Sequence, residues 1–280
     1  MSSVSLQPEL RDAASFSRIK GFYCLTGLIT KISEQGQPYW ELTLSDAFAS
    51  LVVVSMSIKD VIHKLKPFGF VHLEAKRIDN IAPMFKADFI YPVNEIPRKY
   101  RKLSLMPYPA VSDKADLEAL IAITDTISIP SLKTFINQTL TQGRVMLPFL
   151  RNPASIAYHH NFVGGLLKHS IAVAQSFIEN CQLSKEEKEL GIVGALLHDI
   201  GKTQTLSDAM QYTATGSLIN HDALTLELCA VPLYFLAQEC PRYADILRHI
   251  WTCSSPRAKY GFKPMLHVAK QVNRADSQNA

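Results

Sequence analysis

No stretch of this 280-residue chain approaches the about 18 consecutive apolar residues that a membrane-spanning helix requires, so an integral membrane protein is not expected. Paired cysteines are missing too. The five cysteines, at 24, 181, 229, 240 and 253, form an odd set without a C-x-x-C pair, which argues against a disulfide framework and a thiolate zinc knuckle. A reducing compartment fits that usage. The opening MSSVSLQPELRDAASF carries charges where a secretory signal needs unbroken apolar residues, so the reading is cytoplasmic. Internal repeats and low-complexity tracts are absent, and neither sign of charge dominates, with 29 Lys and Arg against 25 Asp and Glu. The small basic excess lies in residues 1–110, with 14 cationic and 10 acidic side chains, which permits a polyanionic partner without demonstrating one. Histidine is skewed the other way. His63 and His72 precede residue 111 and the other seven follow it, which points to metal or acid–base chemistry in the second half.

The length suggests about two domains. From Phe16 to Val93 the pattern is period-two alternation rich in β-branched and aromatic residues, predicting strands at Tyr23–Ile32, Tyr39–Leu44, Leu51–Ser55, Phe70–Lys76 and Phe85–Tyr91, with a short helix over 59–65. Five strands with a helix after the third is the order of the OB-fold, a small Greek-key barrel. Residues 96–113 read as a basic, proline-containing linker. Helical stripes follow from Leu117 through Trp251. The expected fold class is therefore α+β and multidomain: a five-stranded OB-fold barrel over 1–95, the linker, and an all-α bundle over 114–280.

The strongest local signal is Gly194-Ala195-Leu196-Leu197-His198-Asp199-Ile200-Gly201-Lys202. An apolar helix ends in an adjacent imidazole and carboxylate, followed by a glycine suited to helix termination and a lysine able to reach a phosphoryl oxygen. Mixed nitrogen and oxygen donors suit a divalent transition metal or magnesium. Upstream, His159-His160-Asn161-Phe162-Val163-Gly164-Gly165-Leu166-Leu167-Lys168-His169 places His169 after a Gly-Gly pair that would let two helices approach closely. His169 and His198 then lie on separate helices that can face each other. His160, about 180° from His169 on a continuous helix, belongs at or before the helix start, as a phosphate contact together with His159.

H-x-x-x-G-G-L-L-x-H followed by L-L-H-D-I-G-K resembles the HD superfamily of metal-dependent phosphohydrolases, and Tyr212 to His221 resembles one branch, the YhaM-type 3′→5′ exoribonucleases, which place an OB-fold before the HD domain. The resemblance implies an HD-domain bundle in which His169, His198 and Asp199 are ligands, His221 holds a second ion, and Lys202 contacts phosphate. Asp276 is the best match for the closing carboxylate. Asp199 and Lys202 would carry the catalysis. The branch usually has a His-His pair where this chain has Ser254 and Ser255, so His249 is a further candidate ligand, with Cys253 and His267 as weaker ones. The implied cofactor is one or two divalent ions, manganese first, with iron, cobalt, zinc, nickel or magnesium as alternatives.

The implied activity is exonucleolytic cleavage of single-stranded RNA or DNA held by the barrel, with Tyr23, Tyr39, Trp40, Phe85 and Phe89 as candidate stacking residues. A nucleotide phosphohydrolase with a regulatory barrel, a nucleic-acid-binding protein with a decayed HD site, and an HD-type relaxase are the competing readings. A homo-oligomer stays open.

Overall fold

In the first strand, β1 (Arg18–Ile32), Ile19, Gly21, Tyr23 and Leu25 are buried while Arg18 and Lys20 face solvent, the alternation a half-buried strand demands. The structure, a computed structural model, describes residues 7–78, 84–253 and 264–279. Its chain divides into two units, Met1–Pro109 and Ala110–Ala280.

In the first unit β1 pairs antiparallel with β2 (Pro38–Ser45) and β4 (Gly69–Arg77), β2 with β3 (Ser50–Ser55), and β4 with β5 (Phe85–Val93). A short parallel pairing of β3 with β5 at Val53–Phe85 and Val54–Lys86 closes the sheet into a barrel. The barrel is filled by Tyr23, Leu25, Trp40, Leu42, Leu73 and Phe85, among others. Tyr23, Trp40 and Phe85 are therefore core residues and not a stacking surface. The helix expected over 59–65 is only a 3-10 turn at Ile62–Lys64.

Residues 96–109, expected to be a connector, are packed. Ile96, Leu103, Leu105 and Met106 are buried, Ala47 N–H donates to the Ser104 carbonyl, and Tyr108 N–H donates to that of Asp46. Arg101 is likewise engaged, donating through Nε to the Ile96 carbonyl at 2.8 Å and pairing with Glu95 at 3.0 Å. Single 3-10 turns at Arg98–Tyr100 and Leu103–Leu105 carry no long amphipathic period, so the sequence gives no stripe to read.

The second unit is built from α1 (Lys114–Asp125), α2 (Pro130–Leu140), α3 (Met146–Arg151), α4 (Gly165–Asn180), α5 (Lys185–Leu197), α6 (Lys202–Thr205), α7 (His221–Glu239), α8 (Pro241–Thr252) and α9 (His267–Asn279). A two-residue hairpin, β6 (Leu206–Ser207) with β7 (Gln211–Tyr212), interrupts the expected all-α run. Central α5 begins with a capping box between Ser184 and Glu187. Its buried Glu189 accepts from Ser128 N–H, Ser128 Oγ and Ile129 N–H, capping the start of α2 from a neighbouring helix. Gly191 lets α5 meet α4 closely, since a Cβ there would lie 2.0 Å from Phe177. Helix α9 packs on both α4 and α5. No helix among the described residues is long and apolar enough to cross a membrane, and their cysteines are all free thiols.

Candidate metal centre

Three neighbouring helices deliver the donors. His169 sits in the second turn of α4, His198 is the residue that ends α5 with Asp199 beside it, and Asp276 comes from the later part of α9. The Nε2 atoms of His169 and His198 are 3.1 Å apart. Asp199 Oδ2 is 3.4 Å from both nitrogens, and Asp276 Oδ1 is 3.2 Å from His169 and 3.3 Å from His198. Donors about 2.1 Å from a shared ion, in tetrahedral to octahedral array, stand roughly 3.0–3.4 Å from one another. His169, His198 and Asp276 converge with that spacing.

The donor chemistry fits a cation. His198 Nδ1–H donates to the Ala195 carbonyl at 2.7 Å, which fixes the tautomer and leaves Nε2 with its lone pair facing the cluster. Burial opposes charging of His198, yet the Asp199 and Asp276 carboxylates outweigh it and push its pKa up to about 10. The same carboxylates raise His169 against its burial. Asp199 is held well below the usual carboxylate range, its burial overcome by His198 and Lys202, and Asp276 is lowered in the same way by His169 and His198. The cluster is a buried place that demands positive charge.

Asp199 uses both oxygens. Oδ2 faces His169 and His198 and accepts from Lys202 Nζ at 2.6 Å, whereas Oδ1 lies 3.1 Å from His221 Nε2. His221 opens α7 and is also 3.2 Å from Asp222 Oδ1. Sequence reasoning passed over Asp222, whose one signal is its place beside His221.

Three glycines and a threonine hold this arrangement. Gly201 has helical φ of −59° and terminates nothing by left-handed geometry; a Cβ there would lie 1.9 Å from the His221 carbonyl oxygen, so it is glycine to let the His198–Lys202 turn touch the start of α7. Thr225, fully buried one turn into α7, accepts from Gly201 N–H at 3.1 Å and lies within donating distance of the His221 and His198 carbonyls, at 3.1 and 3.3 Å. The Gly164–Gly165 pair likewise differs from expectation, since it does not serve helix–helix packing. Gly164 adopts φ of +88° ahead of α4, and a Cβ on Gly165 would lie 2.0 Å from the His160 carbonyl oxygen.

His160 lies in the turn before α4 with φ of +57°, its ring 5.4 Å from that of His169, and burial together with His169 pushes its pKa down. His159, His160, Lys202, His221 and Asp276 line a cleft of about 570 Å³ that also reaches His169 and Asp199. A second cleft of about 920 Å³ shares His221, Asp199 and Asp276 with it and extends past Ser217 and Leu218. His249 does not join them. Its Nε2 accepts from the Met265 backbone N–H at 3.1 Å, so that nitrogen is already engaged. Cys253 is buried with its thiol directed at the Ile250 carbonyl, and His267 is exposed at the start of α9. Ser254 and Ser255 lie outside the described residues.

A helical unit with a convergent pair of imidazoles, two carboxylates and a lysine on the rim defines a class of candidate cation site. The chain is 28% identical over 140 residues to the 3′-5′ exoribonuclease YhaM of Bacillus velezensis and 27% identical over 140 residues to that of Bacillus subtilis, each match covering 47% of this chain and 43% of the relative. It is 37% identical over 78 residues to the YhaM exoribonuclease of Shouchella clausii, across 26% of this chain and 24% of the relative. The matched region thus spans less than half the length of these curated relatives. No family model and no solved structure matches the chain.

Proposed function

We propose that this protein is a metal-dependent phosphodiesterase, a 3′→5′ exoribonuclease acting on single-stranded nucleic acid, in which the barrel is an OB-fold that binds the strand and the helical unit is an HD-type bundle. The observation that carries this reading is the approach of His169 Nε2 and His198 Nε2 to 3.1 Å, with Asp199 Oδ2 and Asp276 Oδ1 each 3.2–3.4 Å from both nitrogens. The names of the curated relatives support the reaction and its direction.

His169, His198, Asp199 and Asp276 would hold the divalent ion, manganese first, and His221 with Asp222 would flank a second position on the far oxygen of Asp199. When bound, such an ion supplies Lewis acidity and a more acidic water. The chain contributes the rest. Lys202 balances the negative charge of Asp199 and, 20% exposed at its side chain, can shift toward a phosphoryl oxygen in the cleft. His160 and His159, on the wall of the same cleft, are donors for the remaining phosphoryl oxygens. Asp199 Oδ1, turned from His169 and His198 toward His221, would orient an attacking water.

The test is incubation of wild type and Asp199→Ala with end-labelled single-stranded RNA and DNA plus manganese. A ladder shortening from the 3′ end in wild type alone supports the proposal. Hydrolysis that survives in the variant refutes the centre, and absence of any hydrolysis hands the protein to the nucleic-acid-binding reading.

A further inference from the structure

On the outward side of β1, β4 and β5 five rings form a continuous strip. Tyr100 lies 5.2 Å from Phe22 between ring centres, Phe22 5.0 Å from His72, His72 5.8 Å from Phe89, and Phe89 6.5 Å from Tyr91 at an interplanar angle of 14°. Phe89 and Tyr91 remain 48% and 47% exposed. Single exposed rings are ordinary; a connected row of them is not.

A backbone irregularity creates the row. Along β5, Phe85 and Ala87 point into the barrel, and strict alternation would send Phe89, Tyr91 and Val93 inward as well. Instead the register against β4 slips between Glu74 and Ala75, so that Asp88 and Phe89 both face outward and Ile90 takes the core position. Bulges of this kind re-aim side chains.

The surroundings of the strip are cationic. Arg18 and Lys20 of β1, Lys76 of β4, Lys86 of β5 and Lys99 share this region, the last with its Nζ 4.9 Å from the Tyr100 ring centre. The acids on the face are Glu74, paired with Lys20, and Asp88, paired with Arg18 and Lys76. Cations therefore outnumber carboxylates beside the rings. β4, at the middle of this face, is paired on both edges, with β1 and with β5, so a partner lying across it is recognised through side chains.

We infer that this β1–β4–β5 face is a stacking platform for the bases of a single-stranded polynucleotide, with Phe89 and Tyr91 as the principal rings and the flanking lysines and arginine meeting the phosphates. The inference rests on the nucleic-acid reading above and moves the expected contacts away from Tyr23, Trp40 and Phe85. The outward side of β2 offers Tyr39 alone as a ring.

The experiment uses the full chain carrying Asp199→Ala, so that the strand is not degraded, and measures anisotropy of a fluorescein-labelled oligouridylate. Adding Phe89→Ala and Tyr91→Ala together is expected to weaken binding roughly 5- to 100-fold, whereas Phe89→Trp retains it and Tyr39→Ala has little effect. Phe89→Leu with Tyr91→Leu keeps apolar bulk and serves if the alanine pair fails to fold. In the Asp199-intact chain, manganese-dependent hydrolysis of bis(p-nitrophenyl) phosphate should be unchanged by the ring substitutions. Unaltered oligouridylate affinity overturns the inference even where hydrolysis is present. Self-association lost on ring substitution with RNA affinity kept also overturns it, in favour of a protein interface. Ring-dependent binding without hydrolysis in any chain leaves this platform standing and removes the exonuclease reading.

Discussion

The Nε2 atoms of His169 and His198 lie 3.1 Å apart although 29 residues separate them in the sequence. Two imidazole nitrogens at that distance, with two carboxylate oxygens beside them, are stable only when positive charge is shared among them. A divalent ion would supply that charge.

Occupancy should consequently register in stability. Titration with manganese is expected to raise the thermal midpoint by several degrees once the ion exceeds its dissociation constant about 100-fold, a linkage of about 2.7 kcal/mol. Differential scanning fluorimetry measures this. His169→Ala should abolish the response, and a response that survives in that variant would place the ion elsewhere.

Asp276→Asn keeps the shape of the side chain and removes its charge. Manganese affinity should fall at least about tenfold, with activity on RNA recovering in part at high manganese. Isothermal titration calorimetry together with rates across a manganese series checks it; equal affinities in parent and variant would exclude Asp276 from the centre.

Gly201→Ala introduces a methyl group where the His221 carbonyl oxygen already stands. Relief requires α7 and the His198–Lys202 turn to separate, at a cost of about 1–3 kcal/mol. The midpoint should drop by about 2–12 °C. Activity should fall more than tenfold at temperatures where the variant is fully folded, because His221 and Asp199 move apart. A variant with wild-type midpoint and rate would show the contact to be slack.

Thr225→Val is nearly isosteric and deletes one hydroxyl. It strands the buried Gly201 N–H, which costs about 1–3 kcal/mol. Thr225 touches no donor atom of the cluster, so it is a positioning residue. Its loss should lower kcat with KM little changed, and Thr225→Ser should restore most of the rate. A change confined to KM would contradict that role.

Much of this was legible in the residues. Strand alternation located all five strands of the barrel, and the helix ending in His198-Asp199 announced the centre, because those patterns are local and periodic. Asp276 was identified through resemblance; physically, its carboxylate counts only because α9 packs on α4 and α5, a tertiary fact. Asp222 had a signal no stronger than adjacency. Gly201 and the Gly164–Gly165 pair were noticed for the wrong reason: glycine spacing reveals that room is needed but not which carbonyl needs it. Phe89 was among the candidate stacking rings, but the outward row it belongs to was not read. Period two places Phe89 with Phe85 inside the barrel, and only the slipped register on β4 shows that it points out. Residues 96–113 read as a linker for a related cause: Ile96, Leu103, Leu105 and Met106 are buried there in and beside short 3-10 turns, which bury side chains without a repeating stripe.

Helix α9 gives the centre one of its acids and also carries Lys270 and Arg274 on its exposed side. A tail anchored partly through charge would loosen when that charge balance is upset, so chelation should open those two positions to trypsin ahead of the rest of the bundle. The pattern of clipped fragments then becomes a gauge of cation content that needs no substrate.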